Sequence, residues 1–132
     1  MKIIITTLFG LETPTREDLE AAGYERSRIN VSDGVVTLDA DESAWQFDVA
    51  RVNMYVRRGE RVFIVAGEYD AADFDSFFDG CRELPWNDFI PEGYAFVITG
   101  FSRKSKLLGV PALQSLSKKA VVRSILSSRG IK

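Results

Sequence analysis

KIIITTL, residues 2–8, is a run of β-branched and apolar side chains near the N-terminus. Such a run predicts a central strand that is buried on both faces. The stretches RVFIVAGE, residues 61–68, and YAFVITGF, residues 94–101, predict two further strands. A hairpin with an Asp-Gly turn is predicted at residues 32–34, because short apolar runs flank this Ser-Asp-Gly triplet on both sides.

Four helices are predicted from apolar residues at helical spacing and from the capping and stop signals beside them. They cover about residues 13–22, 43–58, 73–83 and 111–128. Asp41 or Ser43 is the expected N-cap of the second helix, with Ser43 and Gln46 as a capping box. Asp73 is the expected N-cap of the third.

The predicted order of elements is β-α-β-β-α-β-α-β-α. This order favours an α+β fold, in which mixed sheets pack against helices. At 132 residues and 45% hydrophobic composition, the chain can form one domain or two small ones sharing a core. The Gly59-Glu60 junction is the only plausible seam, so the expected division is 1–58 and 59–132.

Composition limits the cellular context of the protein. Cys81 is the single cysteine, which excludes an internal disulfide and fits a reducing compartment. The N-terminal apolar run suits a strand better than a signal peptide, and the apolar runs are far shorter than the ~20 residues of a membrane span. The cytoplasm is therefore the expected location, and no membrane partner is expected.

The charge of the chain is divided unevenly. The first hundred residues hold 9 Lys and Arg and 19 Asp and Glu, whereas residues 101–132 hold 8 Lys and Arg and no acid. The net charges of the two parts are −10 and +8, although the whole chain carries only −2. Such asymmetry indicates a polyanionic partner, since charge runs without compensating acids are typical of nucleic-acid-binding segments.

Several kinds of catalytic site are excluded by the residues that the sequence lacks. It has no histidine, so it has no histidine-dependent nucleophile and no imidazole metal ligand. No two glycines have the GxG spacing of a dinucleotide loop or the spacing of a P-loop. The aspartates at 70, 73, 75 and 79 are best explained as a solvated helix face, and Cys81 as a packed, inert thiol. No catalytic, metal-binding or cofactor-binding residue is therefore expected here.

The basic segment, residues 101–132, is the expected binding surface. Four of its polar residues follow the strand predicted at 94–101, and three cations lie on the last predicted helix. Several cations and serine hydroxyls on a rigid surface are what contact with backbone phosphates requires. The residues predicted to bind RNA are Arg103, Lys104, Ser105, Lys106, Lys118, Lys119 and Arg123.

An alternative is that the last helix docks a protein partner. Leu113, Leu116 and Ala120 form one apolar stripe, and a second apolar stripe lies to one side of it, at Val122, Ile125 and Leu126. The second stripe would be partly exposed to solvent in an isolated domain. It could pack against further sequence or against another protein, and the basic residues would then only solubilise the helix.

A family resemblance favours RNA. The motifs that carry it occur in this order along the chain: TTLFGLE, NMYVRRGERVFIV, DFDSFFDGCRELPWNDFIPEGYAFVITGFSRKSKL and KKAVVRSIL. The resemblance covers nearly all of the chain. They resemble the N-terminal region of bacterial THUMP-domain RNA methyltransferases, in the 23S ribosomal RNA guanine-N2-methyltransferase group. The segment from Phe74 to Leu107 is the most specific part.

The resemblance implies a ferredoxin-like part at 1–58 and a THUMP-type RNA-binding part at 59–132, the latter incomplete at its C-terminal end. It further implies that a domain beyond residue 132 binds S-adenosylmethionine and methylates ribosomal RNA, with transfer RNA as the other RNA partner to consider. The chain itself lacks an Asn-Pro-Pro-Tyr-like motif and is expected to be non-catalytic. Trp86 is expected to be a core residue in preference to an RNA-stacking one.

Overall fold

The computed structural model describes residues 1–100, 107 and 109–130. The chain divides into two compact units, Met1–Val65 and Ala66–Lys132. The first unit includes the strand after Gly59 and therefore extends seven residues beyond residue 58, because that strand pairs within the N-terminal sheet. Taken together, the elements of the two units make an α+β protein.

The first unit is a four-stranded antiparallel sheet with two helices. In chain order its elements are β1 (Lys2–Thr6), α1 (Glu12–Ala21), a 3-10 turn (Arg26–Arg28), β2 (Ile29–Ser32), β3 (Val35–Asp39), α2 (Trp45–Tyr55) and β4 (Arg61–Ile64). The strand order is β2-β3-β1-β4, and every neighbouring pair is antiparallel. The predicted hairpin is confirmed, with Gly34 at a φ of 72° in the turn between β2 and β3.

One face of the sheet packs against both helices. Ile3 and Ile5 of β1 and Val36 and Leu38 of β3 lie on this face and are fully buried. On the opposite face Ile4 and Thr6 are only half-buried. The expectation that β1 is buried on both faces was therefore wrong, because alternate side chains of a strand face opposite sides and the helices cover one side only.

Helix α2 begins later and ends earlier than the sequence predicted. The backbone N–H and the hydroxyl of Ser43 both donate to the Asp41 carboxylate, at 3.0 and 2.8 Å. Asp41 and Ser43 therefore form a local turn, and the helix starts from Ala44 with no side-chain cap. The predicted capping box was wrong, because the N-cap is Ala44 and Ser43 lies one residue before it, where its oxygen does not accept an N–H of the first turn.

A buried polar pair joins α2 to the segment that follows α1. Tyr24 is 5% exposed, and its hydroxyl donates to a carboxylate oxygen of Asp48 over 2.7 Å. Burial, together with the hydrogen bond to Asp48, raises the pKa of Tyr24 to about 12. The guanidinium groups of Arg28 and Arg51 lie 5.6 and 5.9 Å from the centroid of the Tyr24 ring. The pair stabilises the neutral phenol in the folded protein.

Replacing Tyr24 with phenylalanine should lower the free energy of unfolding by about 1–3 kcal/mol at pH 8, because Asp48 loses a buried donor. A raised folded pKa stabilises the fold below the unfolded pKa of about 10, and this contribution disappears as the pH rises through about 12. The difference between wild type and Tyr24→Phe should therefore narrow from pH 10 to pH 12. Denaturant unfolding at several pH values measures this, with Tyr55→Phe at an exposed position as the control. A constant difference up to pH 12 would contradict it.

The second unit contains three helices within its described residues, 66–100, 107 and 109–130. They are α3 (Phe74–Glu83), α4 (Trp86–Phe89) and α5 (Val110–Ser128). Asp73 caps α3 as predicted, because its carboxylate accepts the backbone N–H of Ser76 over 2.7 Å. Helix α5 packs against α3 and α4.

The core of this unit lies between α5 and the other two helices. It is formed by Cys81, Ala120, Val121 and Ile125. Packed against these are five partly buried side chains: Phe78, Trp86, Ile90, Phe96 and Ile98. The second unit is therefore stabilised by packing of the buried side of α5 against α3 and α4.

The strand predicted at 94–101 is not found at residues 94–100. Phe96 and Ile98 pack on the core while Val97 is 86% exposed, which is the alternation that the sequence shows. A strand also requires ladder hydrogen bonds to a neighbour, and no strand is assigned among the described residues of this unit. The prediction was wrong for these residues. Alternation of apolar and polar side chains specifies an extended segment with one buried side, but it does not specify a neighbouring strand with which that segment could pair.

No helix among the described residues is long and apolar enough to cross a membrane.

Candidate nucleic-acid interface

Helix α5 presents the described part of the predicted interface. It follows Gly109, whose φ of 93° suits glycine, and Pro111 lies in its first turn. Its buried residues are Ala120, Val121, Ser124 and Ile125, spaced three to four apart or adjacent along one side. The other side of the helix therefore faces solvent.

Three of the predicted cations lie together on this solvent side. Lys118, Lys119 and Arg123 are all exposed, and with Ser115 and Val122 they line a shallow hollow of about 340 Å³. No acidic residue occurs anywhere on α5. The hollow is thus bordered by three positive charges and one hydroxyl, which is the chemistry that binds a phosphate backbone.

Arg123 is positioned by an aromatic ring. Its guanidinium carbon lies 5.4 Å from the centroid of the Phe78 ring, within the range of a cation–π contact. Because a ring face satisfies none of the guanidinium donors, those N–H groups remain available for an anion.

The three cations are not neutralised within the described part of the chain. Ion pairs join Met1 to Glu42, Arg16 to Glu20 and Arg58 to Asp18 in the first unit. None involves Lys118, Lys119 or Arg123. Their charge is therefore available to a polyanion.

Arg103, Lys104, Ser105 and Lys106, the other four predicted RNA-binding residues, lie outside the described residues. Their role remains a prediction from the sequence.

The second apolar stripe of α5 is divided by the fold. Ile125 belongs to the core at 8% exposure, and Leu126 is half-buried. Val122 is exposed to 37% and lies among the cations of the hollow. The apolar surface left for a protein partner at these three positions is therefore small, because α5 turns Ile125 inward against α3 and α4.

Other groups that could carry chemistry have structural surroundings. The indole N–H of Trp86 donates to the carbonyl of Cys81 over 2.6 Å, and the side chain packs on the core. Cys81 is buried, and burial raises the pKa of its thiol. The aspartates at 70, 73, 75 and 79 are exposed, and the described residues contain no cluster of three or more potential metal ligands.

Sequence reasoning did not single out Arg82. It lies in the first hundred residues, whose net charge is acidic, and it is one of two basic side chains that border a groove beside α5. The other is Arg123. The pairing of residues 41 apart in sequence arises only in the fold, although the position of Arg82 in the last turn of α3 was readable from the sequence.

Two domain families together match most of the chain. Residues 2–63 match the RlmL ferredoxin-like domain, and residues 71–129 match the THUMP domain. The chain therefore contains an RlmL-type ferredoxin-like domain followed by a THUMP domain. The family resemblance expected from the sequence is confirmed.

Individual relatives match along the whole chain. YpsC of Bacillus subtilis strain 168, provisionally named an RNA methyltransferase, is 30% identical over 128 residues, which cover 97% of this chain and 31% of YpsC. A Listeria monocytogenes protein described as a predicted N6-adenine-specific DNA methylase has a TM-score of 0.87 and 33% identity. SMU.472, provisionally described as a methyltransferase and solved in complex with SAH, has a TM-score of 0.89 and 28% identity.

The match to both structures covers 99% of this chain and 33% of theirs. The chain thus spans about a third of the length of these relatives.

Proposed function

We propose that this chain is the RNA-binding module of an S-adenosylmethionine-dependent RNA methyltransferase. The observation that carries the proposal is the exposed group Lys118, Lys119 and Arg123, which has no acid on its own helix and no ion pair among the described residues. This group lies within the segment that matches the THUMP domain. Phosphate contacts of this kind supply affinity and fix the position of an RNA without reading its sequence.

Methyl transfer is assigned to another part of the whole protein. The relatives named as methyltransferases, and the one solved with SAH, support S-adenosylmethionine as the methyl donor. The residues of this chain do not fit that cofactor, because no GxG loop follows any of its strands. The module would therefore hold the RNA while a base is extracted and methylated elsewhere.

The proposed substrate is ribosomal RNA, and the proposed product is a guanine methylated on N2. The match to an RlmL-type domain and the motifs from Phe74 to Leu107 support this choice. The names of the relatives divide between RNA and DNA, since YpsC is named for RNA and the Listeria protein for adenine in DNA. A binding experiment must therefore compare ribosomal RNA fragments with transfer RNA and with DNA of the same sequence.

Binding of the chain to labelled single-stranded ribosomal RNA fragments should fall steeply as salt rises. If four to six phosphates are contacted, the slope of log affinity against log salt should be about −3 to −4. The double variant Lys118→Ala/Lys119→Ala should lose about 1.4 units of that slope and about tenfold in affinity at 0.15 M salt, since each phosphate contact contributes roughly 0.7.

The matched control removes two exposed cations from the first unit, Arg26→Ala/Arg57→Ala, and should leave the slope almost unchanged. Equal losses in both double variants would show that only net charge matters and would remove α5 from the interface. A wild-type slope near zero would refute RNA binding. Tighter binding to the matched DNA than to RNA would refute the choice of RNA.

A further inference from the structure

A groove of about 610 Å³ runs beside α5, between its last two turns and the end of α3. Arg82 and Glu83 end α3 on one side, and Arg123 and Ser127 lie on the other. Leu84 and Pro85 add an apolar wall. The volume falls within the range of small-molecule sites and is large enough for one nucleotide.

The floor of the groove is built from internal hydrogen bonds. The Ser124 hydroxyl donates to the carbonyl of Leu84 over 3.3 Å, and the Ser128 hydroxyl donates to the carbonyl of Ser124 over 2.9 Å. Each hydroxyl has one proton, so neither serine can also donate to a ligand. The groups left for a ligand are the two guanidiniums, the Glu83 carboxylate and the Ser127 hydroxyl.

The charges of the groove disfavour a plain anion. Glu83 carries a negative charge, and the C-terminal ends of both α3 and α5 border the site and carry partial negative charge. A third cation is not supplied by Arg129, because its guanidinium donates to Asn87 and to the carbonyl of Ile90. A ligand that both accepts and donates hydrogen bonds suits this lining better than a phosphate does.

We propose that the groove binds an unpaired guanine of the RNA strand. One edge of guanine offers the acceptors N7 and O6, which match an arginine guanidinium, and another offers the N1–H and N2–H donors, which match a carboxylate. Arg82 supplies the guanidinium, because Arg123 lies over the Phe78 ring and is assigned to the phosphates. Glu83 supplies the carboxylate, and Leu84 with Pro85 lies against the flat face of the base. The other bases lack two adjacent donors for Glu83. This site rests on the proposed function, since the contacts between the RNA phosphates and the cations of α5 would hold the RNA strand beside the groove.

The test uses uridine-only oligoribonucleotides and the same oligomers with one central guanosine, inosine or adenosine, measured by fluorescence anisotropy with residues 1–132. Guanosine should bind about tenfold more tightly than inosine, which lacks the N2 amino group, and more tightly than adenosine. Glu83→Gln should abolish the preference for guanosine over inosine and leave binding of the uridine oligomer unchanged or slightly stronger. Arg82→Ala should weaken binding of the guanosine oligomer selectively.

Asp75→Asn is the matched control, because it removes one exposed acid from α3 two turns away from Glu83. It should keep the full guanosine preference. Salt-dependent binding of every oligomer with no guanosine preference would overturn the groove proposal and leave the proposed function intact. Retention of the guanosine preference in Glu83→Gln would overturn the groove proposal in the same way. Failure of all oligomers to bind at low salt would refute the proposed function and this site with it.

Discussion

Replacing Lys118, Lys119 and Arg123 together with glutamate should weaken binding of single-stranded RNA by more than about 50-fold at 0.15 M salt. Removing three phosphate contacts accounts for about 50-fold, since each contributes roughly 0.7 to the salt slope of a single strand. The three new carboxylates repel the backbone and increase the loss. Fluorescence anisotropy in a salt series measures both the affinity and the slope, which should fall by about 2 units.

Arg123 also contacts the Phe78 ring, so the fold of this variant must be checked. Thermal unfolding should stay cooperative, because all three side chains are exposed and an exposed cation–π contact contributes only about 0.5–1 kcal/mol. The control is glutamate at three exposed positions of the first unit, Arg26, Arg57 and Arg61. If that control loses as much affinity, the interface does not lie on α5.

Leu19→Ala should lower the free energy of unfolding of the first unit by about 2–5 kcal/mol, through lost transfer energy and a residual cavity. Leu19 is fully buried, and it belongs to the core cluster that contains Ile3, Ile5 and Leu38. Native-state hydrogen exchange of the β1 amides measures the loss within this unit. A loss of about 2–5 kcal/mol in the free energy of unfolding corresponds to exchange of these amides about 30-fold to several thousand-fold faster in the variant.

The control substitution is Leu8→Ala, at a side chain that is 60% exposed. It removes the same side-chain atoms from a solvent-exposed position and should change the free energy of unfolding by no more than about 0.5 kcal/mol. Slow exchange of β1 in Leu19→Ala would mean that the helices do not hold the sheet in the way the packing indicates.

The sequence by itself determined the features that depend on nearby residues. The Asp33-Gly34 turn, the Asp73 cap of α3 and the helical stretch after Pro111 each depend on groups within a few positions of one another. The unequal charge of residues 1–100 and 101–132 needs no fold, and it indicated the basic face of α5. The ordered motifs indicated the family in the same way, since they are a property of the chain alone.

Other features depend on partners that are distant in sequence, and only the tertiary structure decided them. Residues 94–100 have the alternation of a strand, but pairing depends on another segment that local pattern does not specify. Ile125 was indistinguishable from Val122 as part of an apolar stripe, and α3 and α4 decide which of them is buried.

The groove beside α5 is the clearest case of this second kind. Arg82 and Arg123 are 41 positions apart, and packing of α3 on α5 places both at one groove with Glu83. Charge counting cannot find such a site, because Arg82 lies in a segment whose net charge is acidic. Composition and local interactions thus determined the charge, most helices and the turns of this protein, whereas long-range packing decided which side chains border the same groove.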